Sequence, residues 1–164
     1  MKFFFLLLVL FTSFFSCKNN INNTSNISNN IFKYENLKIK IPDNYKKDKT
    51  IINRWIDKKT GVSLNIEIEY SENELKEYVK AMIFRIKKVY PDYKIIEKKI
   101  IKDNIASVLS TSTIQDIKLK YYMLIIKLEN LKIILTIGGR EKVFIKEYYS
   151  NFIDLVKVKL DEKK

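Results

Sequence analysis

The chain has 164 residues, 46% of them apolar, with ten Tyr and ten Phe, so it can bury a proper core. It carries no His and one Cys, which excludes a His-based triad, a Cys/His zinc site and a disulfide within the chain. Its 31 Lys+Arg against 19 Asp+Glu give a formal net charge of +12, a field that favours anionic partners.

The chain opens with Lys2 and then the run Phe3-Phe4-Phe5-Leu6-Leu7-Leu8-Val9-Leu10-Phe11-Thr12-Ser13-Phe14-Phe15-Ser16, followed at once by Cys17. A basic start, an apolar stretch and a small residue before the cut predict a secretory signal peptide over residues 1–16. The stretch is shorter than the roughly 20 apolar residues a bilayer-spanning helix needs. A cysteine directly after the small residue resembles the bacterial lipobox, in which diacylglycerol joins the thiol and cleavage leaves the cysteine at the new N-terminus. The resemblance implies cleavage between Ser16 and Cys17 and lipidation of Cys17. Phe14 and Phe15 stand where that motif usually has Leu and a smaller residue. The expected location is the cell envelope, with the membrane held through an N-terminal lipid anchor on the extracytoplasmic side.

Residues 18–30, KNNINNTSNISNN, have almost no apolar content and predict a flexible tether. At 5–6 Å × √n, thirteen such residues reach roughly 20 Å on average. Asn22, Asn23 and Asn26 head Asn-x-Ser/Thr triplets, which matter only in the alternative of a glycosylated eukaryotic protein.

A first strand is expected over 31–41, where Leu37, Ile39 and Ile41 alternate with Lys38 and Lys40. Pro42-Asp43-Asn44 ends it. A second strand over 51–57 leads through the turn Lys58-Lys59-Thr60-Gly61 into a third over 62–70. There Leu64, Ile66, Ile68 and Tyr70 face one way, and Asn65, Glu67 and Glu69 form the wet face. Ser71-Glu72-Asn73-Glu74 reads as a capping box opening a helix to about Tyr90. Its apolar stripe is Leu75, Tyr78, Val79, Met82, Ile83, Ile86 and Val89. Pro91 stops it.

Four strands are expected next, over 93–101, 105–114, 118–128 and 131–138. The second has a Ser/Thr-rich face (Ser107, Ser110, Thr111, Ser112, Thr113) that reads as solvated. The last two are apolar on both faces, which places them at the centre of a sheet covered on each side. Gly138-Gly139 is read as the end of the sheet. A helix over about 141–156 should bury Phe144, Ile145, Tyr148, Tyr149, Phe152 and Val156. Residues 157–160 read as a short closing strand and 161–164 as a charged tail. The order predicts an α+β domain over 31–160, a mostly antiparallel sheet with helices packed on it.

Leu37-Lys38-Ile39-Lys40-Ile41-Pro42-Asp43-Asn44-Tyr45, the helix over 71–90, the hairpin over 122–138 and a last helix with Tyr148, Phe152 and Ile153 together resemble the PsbP-like family. That family includes the DcrB-like bacterial envelope proteins and the photosystem II extrinsic subunit. Its usual Gly and Trp are Asn44 and Tyr45 here. The resemblance implies an α/β/α sandwich and a non-enzymatic binding, assembly or chaperone role, with no binding residue carried over.

Weighed singly, the remaining candidates read as structural. Glu67 and Glu69 are half of a calcium site at most. Gly138-Gly139-Arg140 is too short for a phosphate loop and reads as a sheet-to-helix turn. Trp55 beside Arg54 reads as partly buried on the sheet. No catalytic, metal or cofactor residue is expected, and no nucleic-acid partner. Expected partners are the membrane, an envelope protein, and anionic lipid or wall polymer. Two alternatives stay open: a periplasmic enzyme with a Ser–Lys or carboxylate site, and a soluble secreted basic protein bound to anionic surfaces.

Overall fold

The computed structural model describes residues 31–34, 37–150 and 152. Ser16, Cys17, the tether, Ile153, Val156 and the closing strand and tail expected over 157–164 lie outside them. The described chain is a mostly antiparallel α+β fold, as its alternation of strands and helices predicts.

The expected first strand is a hairpin. β1 (Ile31–Tyr34) pairs antiparallel with β2 (Leu37–Lys40), setting Phe32 opposite Ile39. Ile39 and Ile41 are buried and Lys38 and Lys40 exposed, which is the alternation the residues dictate. β3 (Tyr45–Lys47) has three residues, too few to show a period, and pairs with β4 (Arg54–Asp57). β4 is shorter than the strand expected over 51–57, because Asn53 takes a left-handed φ of 57° just before it. Gly61 supplies the positive φ, 75°, that the turn into β5 (Ser63–Tyr70) requires.

α1 (Leu75–Val89) buries Leu75, Tyr78, Val79, Met82, Ile83 and Ile86, but Val89, the last of the expected stripe, is 43% exposed. The expected capping box does not form. Glu74 sits at the N-cap without a side-chain cap bond. Its carboxylate instead accepts from Lys127 Nζ at 2.5 and 2.6 Å. Ser71 Oγ accepts from the Asn73 amide, one turn too early to cap.

β6 (Lys94–Lys102), β7 (Ile105–Ile114), β8 (Ile117–Leu128) and β9 (Leu131–Arg140) follow as hairpins. Their tight turns use left-handed backbone at Gln115, Asp116 and Glu129. β9 then returns to pair with β5, giving the seven-stranded order β3-β4-β5-β9-β8-β7-β6.

The two faces of this sheet carry separate cores. On one, α1 packs over Ala106, Val108, Met123, Ile125 and Ile134. On the other, the β1–β2 hairpin and the segment after β9 cover Leu64, Ile66, Tyr122, Leu124, Leu135 and Ile137. That segment holds α2 (Glu147–Ser150), with Phe152 also helical; the helix expected over 141–156 begins only at Glu147, and residues 153–156 lie outside the described residues. Its work is aromatic: Phe144 stacks with Tyr148 and Tyr149, and Tyr149 stacks on Tyr122 of β8 at 5.1 Å. Ile145 is exposed there, against expectation.

Gly138 and Gly139 lie inside β9 and do not end the sheet. A Cβ on Gly138 would collide with Tyr121 Cδ1, and one on Gly139 would sit 3.1 Å from Val62 Cγ2. The glycines are there to let neighbouring side chains close over the strand.

Candidate functional site

Polar side chains gather on the α1 side of β5 and β9, where sheet and helix edge meet. Asn65, Glu67 and Glu69 alternate along that face of β5. Across from them on β9, Asn65 faces Thr136 and Glu69 faces Lys132, and Arg54 of β4 faces Asn65 from the other side. This is not the wet face that alternation alone suggests. Asn65 is buried and Glu67 and Glu69 are half-buried, because α1 lies along the same side of the sheet.

Burial pushes the Glu67 carboxyl up to about 7, and the charge of Glu69 adds to the shift. Glu69 is held in place from the helix. Tyr78 donates its hydroxyl to Glu69 Oε2 at 2.6 Å, and Arg85 Nη2 donates to the same oxygen at 3.3 Å. Lys132 has no exposed surface. Its Nζ donates to the Ser71 carbonyl at 2.7 Å and lies 5.8 Å from the centre of the Tyr78 ring. Burial pushes its pKa down, Lys127 pushes the same way, and Glu74 opposes. Tyr78 therefore ties Glu69 and Lys132 together while packing its ring in the α1 core.

The arrangement places a carboxyl that titrates near neutrality beside an anchored carboxylate. The buried lysine reaches a main-chain carbonyl and not a serine hydroxyl. Among the described residues no group of three or more acidic or Cys side chains is placed to hold a metal ion.

The serines of β7 are also buried. Ser107, Ser110 and Ser112 are closed from solvent, where a solvated face was expected. Ser110 and Ser112 share the face of Ala106 and Val108, and that face lies under α1 and Tyr93. Tyr93 and Tyr121 lie against Ser110 and Ser112. Burial pushes the Tyr93 phenol up to about 12, with the Ser110 contact opposing.

Arg54 and Trp55 are both buried, Trp55 fully. Arg54 Nε is 3.6 Å from Asp48 Oδ2, and Trp55 meets Phe32 edge-on at 6.2 Å. Trp55 is thus a core residue and offers no stacking surface. Arg140, read with Gly138 and Gly139 as a turn, is the last residue of β9.

Lys132 is the residue that periodicity overlooks. It stands in a mostly apolar strand, and the signal for it is Glu69, its half-buried cross-strand partner on β5.

No protein-family model matches the chain, and neither does any curated protein sequence. Among solved structures, it is similar to a Pseudomonas aeruginosa protein described as of unknown function and as a candidate regulator, with a TM-score of 0.49 and 15% identity over 68% of this chain and 83% of that one.

Proposed function

We propose that the chain is a lipid-anchored, non-enzymatic binding or assembly module of the bacterial cell envelope. The observation that carries this reading is Cys17, directly behind Ser16 and the apolar run. Acylation would consume the single thiol, which in an oxidising compartment would otherwise pair between molecules. The likeness of the strand-and-helix order to the PsbP-like family supports a binding or assembly role. Among the described residues no helix is long and apolar enough to cross a membrane.

Fractionation tests it. The native protein should stay with membranes through a high-salt wash and leave with detergent. Crosslinking before extraction should then return an envelope protein. Release by salt alone would instead favour a soluble basic protein held electrostatically. Turnover of an envelope substrate that is lost in Glu67→Gln would favour the enzyme alternative.

A further inference from the structure

β6 forms one edge of the large sheet, and all nine of its residues are exposed. Its sequence is Lys94-Ile95-Ile96-Glu97-Lys98-Lys99-Ile100-Ile101-Lys102. Ile96 is 54% exposed and Ile100 49%, with Ile95 and Ile101 at 36% each. Four lysines surround these isoleucines against one acid, Glu97, which pairs with Lys99 at 2.6 Å. The opposite edge strand, β3, has only three residues and buries Tyr45.

An exposed edge with isoleucines on it invites a covering partner. Its own chemistry discriminates between candidates. The pairing with β7 shifts register twice, between Ile95 and Glu97 and between Ile100 and Lys102. Such bulges and edge lysines are the devices that blunt strand addition. A second copy docked antiparallel about Lys98 would set Glu97 against Lys99 and isoleucine against isoleucine, but also Lys98 against Lys98 and Lys94 against Lys102, and with four lysines to one acid on each strand the pair keeps a net repulsion. An anionic bilayer surface meets none of these objections. Its phosphates accept the ammonium groups, and the isoleucine tips enter between headgroups. The unpaired backbone N–H groups of the edge can donate to the lipid phosphates, which withdraws them from bulk water. Lys87, Lys88 and the exposed Val89 at the end of α1, just before β6, extend the same chemistry.

We propose that the β6 edge is a membrane-contact surface that lays the domain against anionic lipid headgroups. This deepens the proposed lipid anchoring and rests on it for delivery of the domain to a bilayer.

The test is hydrogen–deuterium exchange of the full chain on vesicles of phosphatidylcholine alone and of phosphatidylcholine with phosphatidylglycerol. On the anionic vesicles the β6 amides should exchange at least about tenfold more slowly than on the neutral ones. The double substitution Lys98→Glu and Lys99→Glu should abolish that difference while the α1 amides keep their protection. Equal β6 exchange on both vesicles would overturn the proposal. So would slowing that follows protein concentration without lipid, the mark of a second copy on the edge. Sedimentation with neutral vesicles reports the anchor separately: its failure would sink the anchoring reading while the anionic arm still reads the edge.

Discussion

Tyr121 on β8 occupies the space that a side chain at Gly138, its cross-strand partner on β9, would need. The Gly138→Ala substitution must therefore displace either the ring or the strand at the centre of the sheet. It should cost about 1–3 kcal/mol in urea unfolding, the usual penalty of overpacking. Combining it with Tyr121→Leu should cost less than the two single changes summed, because the collision is then gone. Additive losses would show that the two positions do not share one space.

Removing one hydroxyl tests the polar cluster. Tyr78→Phe keeps the ring in the α1 core and deletes the donor to Glu69. A hydrogen bond to a charged group is worth about 1.5–3 kcal/mol, and Arg85 remains to hold the carboxylate in part. The expected loss is about 1–2 kcal/mol in denaturant unfolding. An unchanged midpoint would mean that Glu69 is held by Arg85 alone.

Glu67 should write a pH dependence into stability. Its carboxyl is pushed from an ordinary 4.5 to about 7 in the folded chain. Between those values the folded state binds more protons than the unfolded state. Stability is therefore full below about 4.5 and is lost as pH rises toward 7. Allowing for its partial exposure, the loss should be about 2 kcal/mol. Glu67→Gln should flatten the unfolding free energy across that window. A slope that survives the substitution would assign it to another group.

Trp55 is the one tryptophan in the chain and is fully buried, so its fluorescence reports the hairpin lid. Phe32 of β1 meets it edge-on. Phe32→Ala should shift Trp55 emission to the red and cost about 3 kcal/mol. Unshifted emission would mean that the hairpin does not seal this side of the core.

These four sites show how unevenly the fold can be read from the residues. β7 and β8 were legible almost to the residue, because Asp103-Asn104, Gln115-Asp116 and Glu129-Asn130 punctuate long apolar runs. Gly138 and Gly139 read as a stop in the residues alone, since only the neighbouring strands show that Tyr121 and Val62 need their space. The capping box at Ser71 failed because the better partner for Glu74, Lys127, lies 53 residues away. The expected C-terminal helix begins six residues late, at Glu147, because Phe144 ahead of it is held by stacking on Tyr148 and Tyr149, which asks for no helical register. For the site, alternation set Glu67 and Glu69 on one face correctly. It did not reveal that α1 half-covers that face, nor that Lys132 is buried opposite.

The most direct test of the proposed anchoring is the intact mass of the native protein, isolated from its own membranes, beside that of a Cys17→Ser variant. The expected result is a chain that begins at Cys17 and carries the mass of a diacylglycerol, with the variant left uncleaved and without lipid. A native chain whose mass shows an unmodified sulfur at Cys17 would contradict it.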